Sequence, residues 1–193
     1  MSTAEKGKVI IPLHRPGLSE KLFFLTSGAI ISIPFAFFFE SLPQGFLPSS
    51  LPPFYADVLY LGVLAPVIEE LGKAYPLFFR HGENQRSIIT LGALVGLGFG
   101  FVEFLEYVLL LGVPVIFRVP GLIFHPASTS VTAYGIANKK SARFYLVAVA
   151  LHLSSNLASI FEPLQSLIFP IVILTFLLAL YLYQKTPEKP IEY

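Results

Sequence analysis

The sequence predicts an all-α polytopic membrane protein, a bundle of about six transmembrane helices with both termini in the cytoplasm. Three observations carry this. Of the 193 residues, 54% are hydrophobic and only 13% charged, with a mean hydropathy of +0.71, where a soluble domain carries about 25% charged residues. Six segments approach the roughly 20 mostly apolar residues that a helical span requires. The lysines and arginines alternate between segment ends as the positive-inside rule demands. Long apolar runs without strict alternation favour helices over a barrel. Residues 1–21 read as a polar, basic arm, 22–183 as one transmembrane helical domain and 184–193 as a cytoplasmic tail.

The first segment, Leu22–Phe39, follows Lys6, Lys8, Arg15 and Lys21. No A-x-A-like site follows it, so it reads as a permanent span rather than a cleaved signal. The Pro-rich connection Ser41–Phe54 has no cation and is placed outside, as a stiff linker or else as an apolar loop lying in the interface near a substrate entry gap. The second segment, Tyr55–Phe79, contains APVIEELGKAYP and is followed by Arg80 and Arg86 on the inside. The third, Ile88–Leu111, carries Gly92, Gly96 and Gly100 in a stripe that lets a neighbouring helix approach closely. The fourth, Val119–Ala137, is expected to be interrupted by Pro120 and Pro126. Lys139, Lys140 and Arg143 bring the chain back inside before the fifth, Arg143–Phe161. The sixth, Leu164–Tyr183, ends before Lys185 and Lys189, and only Arg118 departs from the alternation.

Glu69, Glu70, Lys73, Glu103, Glu106, His125 and His152 lie within these spans. A charge at helix centre costs about 2.5–3.5 kcal/mol on insertion scales, so such groups face the interior, pair or stay neutral, and they mark function. Lys73 lies one helical turn from both Glu69 and Glu70. Adjacent residues point about 100° apart, so one glutamate can pair with Lys73 while the other faces a cavity. Continuing the glycine stripe by three and then four residues reaches Glu103 and Tyr107 on the same face. His152 and Asn156 share a face at i, i+4. His125 precedes Thr129 by one turn, with Arg118 seven residues earlier on roughly that side.

A carboxylate that activates water, with His and Asn donors for an oxyanion, is the chemistry of amide hydrolysis. The chain has no cysteine, which removes a thiol nucleophile and thiolate metal sites. Asp57 is its single aspartate, which excludes a two-aspartate protease within one chain. Neither H-E-x-x-H nor G-x-S-x-G occurs. Ser154 points away from His152, whereas Ser155 at i+3 can lie near it and leaves a serine mechanism open. No cofactor is required, but zinc is admissible, with Glu70, His125 and His152 as its ligands. A proton-coupled carrier and a non-catalytic membrane scaffold subunit also use buried Glu and His groups; the half-repeats of a carrier are absent.

In order along the chain, EELGK (Glu69, Glu70, Lys73), F-x-x-x-E (Phe99, Glu103), His125 with upstream Arg118, and H-x-x-x-N (His152, Asn156) resemble the motifs of the PrsW family. These are membrane-embedded proteases related to the CAAX prenyl endopeptidases, and the similarity runs from about Leu59 to Ile160. Phe104 stands where many members have Asn. The resemblance implies a glutamate-type intramembrane endopeptidase of the cell membrane. Its partners would be the bilayer and a single-pass, anti-sigma-factor-like protein substrate, with no nucleic acid. By position, Glu69 and Glu70 would activate water, Glu103 and His125 would support it, and His152 and Asn156 would stabilise the oxyanion. Lys73, Phe99, Arg118, Thr129 and Tyr107 would be supporting residues. Glu70 is preferred as the base and Glu69 as the partner of Lys73.

Overall fold

The computed structural model describes residues 14–44, 51–79 and 84–190, which fold into helices. Parts of the basic arm (1–13), the Pro-rich connection (45–50) and the loop carrying Arg80 (80–83) lie outside the described residues. Six long helical stretches result. Helix α1 spans residues 18–44, α2 residues 53–79, α3 residues 85–110, α4 Val115–Ala137, α5 Ser141–Ile160 and α6 residues 162–185. Three of them, within Leu18–Leu42, Gln85–Leu110 and Glu162–Lys185, are long and apolar enough to cross a membrane. The remaining three are those that bear Glu69–Glu70–Lys73, Arg118–His125 and His152–Asn156.

The boundaries differ from the expected ones where local chemistry extends a helix. Helix α1 begins at Leu18 because Glu20 Oε2 accepts the Gly17 backbone N–H at 2.8 Å, one arm of a capping box. It runs on to Gln44, so Glu40 is helical rather than part of the connection. Helix α4 begins at Val115 and passes through Pro120 and Pro126 without breaking. The expected interruption is therefore absent, and Arg118 falls on the helix. Neighbouring helices support such prolines inside a membrane bundle. In α1 and α2 the helix widens to π-type turns at Gly28–Ser32 and Val58–Leu64, each two residues before a proline (Pro34, Pro66). A wide turn there relieves the clash of the proline ring with the preceding turn.

Glycines set the packing. Cβ atoms on Gly28 and Gly98 would strike the backbones of Val95 and Leu25, so α1 and α3 cross at backbone contact. On its other side α3 meets α4 through the expected stripe. Gly92 faces Ala133, Gly96 the His125 carbonyl and Gly100 the His125 ring. Apolar residues Phe24, Leu77, Ile88, Leu91 and Val95 fill the space among α1, α2 and α3. Large apolar side chains such as Ile30, Phe38, Phe117 and Ile173 face outward, as lipid contact favours. Because α3 is clamped on both sides, Gly96→Ala is expected to destabilise the protein by about 1–3 kcal/mol through overpacking. Gly121→Ala, whose added Cβ meets nothing closer than 3.9 Å, should leave stability unchanged or slightly raised. Thermal unfolding in detergent compares the two.

Candidate active site

All six helices line one cavity of about 510 Å³. Among its walls are Glu69, Glu103, His125, His152 and Asn156, so five of the six expected catalytic side chains share it. The sixth, Glu70, lies behind the wall at 0% exposure, as does Lys73. Of the expected supporting residues, Phe99, Tyr107 and Arg118 line the cavity, whereas Thr129 does not: its hydroxyl donates to the His125 carbonyl at 2.9 Å.

The two glutamates divide their roles, but in the opposite sense to the expected one. Lys73 Nζ donates to Glu70 Oε1 at 2.6 Å and stands 3.9 Å from Glu69 Oε2. Glu70 is therefore the anchored partner and Glu69 the one facing the cavity. The wheel angle between them follows from the helix alone, but which one faces inward depends on how α2 is turned. That turn is set by contacts on several sides. Ser32 Oγ of α1 donates to the Gly72 carbonyl at 3.0 Å. From α5, Tyr145 Oη donates to the Val67 carbonyl and Asn156 Nδ2 to the Leu61 carbonyl, both at 2.7 Å.

Glu70 Oε1 accepts two further hydrogen bonds, from Ser128 Oγ at 3.0 Å and from His152 Nδ1 at 3.0 Å. Three donors on one oxygen hold this carboxylate in place and fix the orientation of the His152 ring. With Nδ1–H donating to Glu70, His152 Nε2 presents a lone pair 3.8 Å from Glu69 Oε2. That oxygen is buried and has no hydrogen-bond partner among the described residues.

A second cluster adjoins the first. His125 Nε2 meets Glu103 Oε2 at 2.6 Å, and its Nδ1 accepts from Lys73 Nζ at 3.0 Å. Arg118 Nη2 pairs with the other Glu103 oxygen at 3.1 Å, and its guanidinium stacks 3.6 Å over the Tyr107 ring. Phe99 packs against both Lys73 Nζ, at 4.7 Å, and the His125 ring, at 5.1 Å.

Two site residues escaped the sequence reading. Ser128 is one of three hydroxyl residues in succession, and a serine in a membrane helix ordinarily bonds back to its own backbone, as Ser130 does to Pro126. Only its spacing of three from His125 pointed inward. Glu40 lines the cavity because α1 continues past Phe39. Glu106 also lines it. Ser155 is on the wall, whereas Ser154 Oγ bonds back to the Ala150 carbonyl. Phe104, the departure from the family pattern, is half-buried and is not on the cavity wall.

The donor set suits a metal, with one ligand changed from expectation. Ligand atoms of Glu69, His125 and His152 lie within 4.8 Å of one another. Glu69 stands in this group where Glu70 was expected. Glu70 Oε1 is taken by three donors, and its other oxygen, like Glu69 Oε2, is buried without a hydrogen-bond partner among the described residues. Two histidines and a carboxylate are the ligand types of catalytic zinc. The unpartnered Glu69 oxygen facing a histidine lone pair is what such a site leaves ready, and the Glu70–His152 bond is the carboxylate contact that commonly orients a ligating histidine. His125 would have to release Lys73 or Glu103 to take part.

No curated protein sequence and no solved structure matches the chain. The family described as "PrsW family intramembrane metalloprotease" matches residues 19–182, most of the chain and all six helices in part or whole. With its apolar helices and motifs in order, the chain is a membrane protein that belongs to the PrsW family of intramembrane proteases.

Proposed function

We propose that this chain is an intramembrane endopeptidase that hydrolyses a peptide bond of a membrane-anchored, single-pass protein, with Glu69 as the group that meets the attacking water. The observation that carries the reading is the buried, unpartnered Glu69 oxygen, which faces a cavity shared with His125, His152 and Asn156. The distribution of Lys and Arg supports six crossings by one helical domain, with both termini in the cytoplasm.

In this reading a water in the cavity sits against Glu69, which takes its proton as the oxygen attacks the scissile carbonyl carbon. The developing oxyanion is met by donors on the same wall, the Arg118 guanidinium and the second amide hydrogen of Asn156. Glu103 and His125 hold each other and Arg118 in place. As the C–N bond breaks, the proton on Glu69 passes to the leaving amine. Glu70, fixed by Lys73, Ser128 and His152, keeps the His152 ring turned toward Glu69. Were zinc held by Glu69, His125 and His152, Glu69 would act as its ligand, and the metal would supply the Lewis acid and the more acidic bound water in place of the free carboxylate base.

The test is reconstitution with a single-pass substrate in liposomes. A zinc chelator is expected to abolish cleavage, and added zinc to restore it. Zinc analysis should find about one ion per chain, lost in His152→Ala. Cleavage that survives chelation in protein shown to be zinc-free would remove the metal from this mechanism. Absence of cleavage of any single-pass substrate by folded, zinc-loaded protein would reject the protease reading.

A further inference from the structure

We infer that a recess at the shared end of α1, α3 and α6 is a binding site for a phosphate group, carried by an anionic phospholipid headgroup or by free phosphate. The recess measures about 230 Å³ and shares no lining residue with the catalytic cavity. Its walls include Arg15, Lys21, Arg86, Ser87, Tyr183 and Glu188. They come from the segment leading into α1 and its first turn, the start of α3, and the end of α6 with the tail that follows it. These are the three helices apolar enough to cross a membrane, so their common end lies at headgroup level.

Two cations meet one carboxylate there, and a third, Lys21, lines the same recess. Glu188 accepts from Arg15 Nη2 at 2.6 Å and stands 3.5 Å from Arg86 Nη1. The Lys21 ammonium has no acceptor among the described residues. The other nearby acid, Glu20, is engaged by His14 and by the Gly17 N–H and does not line the recess. Among the described lining residues one carboxylate against three cations leaves an excess of two positive charges, enough for the single charge of a lipid phosphodiester or the roughly one to two of free phosphate. Glu188 already shows where an anion sits, met by one nitrogen each of the Arg15 and Arg86 guanidinium groups, a side-chain type suited to phosphate oxygens. The amino ends of α1 and α3 add the positive ends of two helix dipoles. Basic pockets between membrane helices are the established setting for anionic headgroups.

Glu188 is then a competitor for the site, and it can leave without unfastening the tail. Arg86 donates to the Thr186 carbonyl at 3.1 and 2.9 Å, and the Gln85 N–H to the Lys189 carbonyl at 2.9 Å. These bonds hold the main chain whichever way the Glu188 side chain points.

The experiment titrates the full chain in detergent with phosphatidylglycerol, phosphatidylcholine and inorganic phosphate. Native mass spectrometry reads the lipids and calorimetry reads the ion. Phosphatidylglycerol is expected to be retained over phosphatidylcholine. Arg15→Gln with Lys21→Gln should weaken it about tenfold or more, and Glu188→Gln should strengthen it severalfold, a gain that a misfolded variant could not give. If inorganic phosphate shows the same dependence on these variants while the two lipids do not differ, the site stands and its ligand is free phosphate. Binding of lipid and ion that is indifferent to all three substitutions, or weakened by Glu188→Gln, would overturn the proposal. None of these readouts depends on proteolysis.

Discussion

Glu69→Gln is expected to lower kcat/KM for peptide-bond cleavage by at least about 10³-fold while leaving the protein as stable as the wild type or more so. The two effects separate because Glu69 is 8% exposed and one of its oxygens lacks any hydrogen-bond partner among the described residues. A buried carboxylate left in that condition costs folding energy. The amide is isosteric and carries no charge, so it relieves the cost but can neither take a proton nor serve as a metal ligand of the same kind. Loss of function with unchanged or higher stability is the pattern of a site held against its own stability. Cleavage assays in liposomes and thermal unfolding of the same preparation measure both. A Glu69→Gln protein that still cleaves at more than a tenth of the wild-type rate would remove Glu69 from the role assigned to it.

The second large effect concerns stability. Glu70→Gln strips the charge from a pair in which both side chains are fully buried and 2.6 Å apart, leaving the Lys73 ammonium in the interior against a neutral amide. Removing one member of a buried ion pair costs about 3–5 kcal/mol, whereas replacing both can be neutral. Lys73→Met should be destabilising for the converse reason, softened by the hydrogen bonds that Glu70 keeps from Ser128 and His152. The double variant should recover most of the loss, so the double-mutant cycle should give a large favourable coupling. It also separates anchor from base. If Glu70 only orients His152, the double variant retains activity within about a hundredfold, the usual cost of losing a residue that orients a ligand. If Glu70 is the proton acceptor, the double variant folds and is inactive.

The helices of the fold were legible because apolar length is a property of the chain itself. The glycine stripe was legible for the same reason: only a missing Cβ permits Gly96 to lie against the His125 carbonyl. Helix ends were less so. Phe39 looked terminal because Glu40 is charged, yet a neighbouring cavity made room for it; Pro120 and Pro126 looked like breaks, yet the helices around α4 carry it through. The site was legible as a set of residues and illegible in its internal wiring. Spacing places Glu69 and Glu70 about 100° apart, but the turn of α2 is decided by Ser32, Tyr145 and Asn156, which are 37 or more residues away along the chain. Ser128 could not be told from Ser130 without knowing which hydroxyl faces Glu70.

The wide turn at Val58–Leu64 has a consequence for register. A π-type turn holds about one residue more than an α-turn, and one residue is about 100° of helical phase. The turn upstream of Ala65 thus takes up a residue that the helix after it cannot. Deleting a single residue from that turn would let it close to an ordinary α-turn with Glu69, Glu70 and Lys73 still in place. Deleting one from the α-helical stretch between it and Glu69 would shorten α2 by only about 1.5 Å yet carry Glu70 to the position of Glu69, Leu71 to that of Glu70 and Ala74 to that of Lys73. The cavity would still contain a glutamate, but its anchored neighbour and the cation behind it would be gone. A length change too small to matter to a membrane span would undo the division of labour between the two carboxylates.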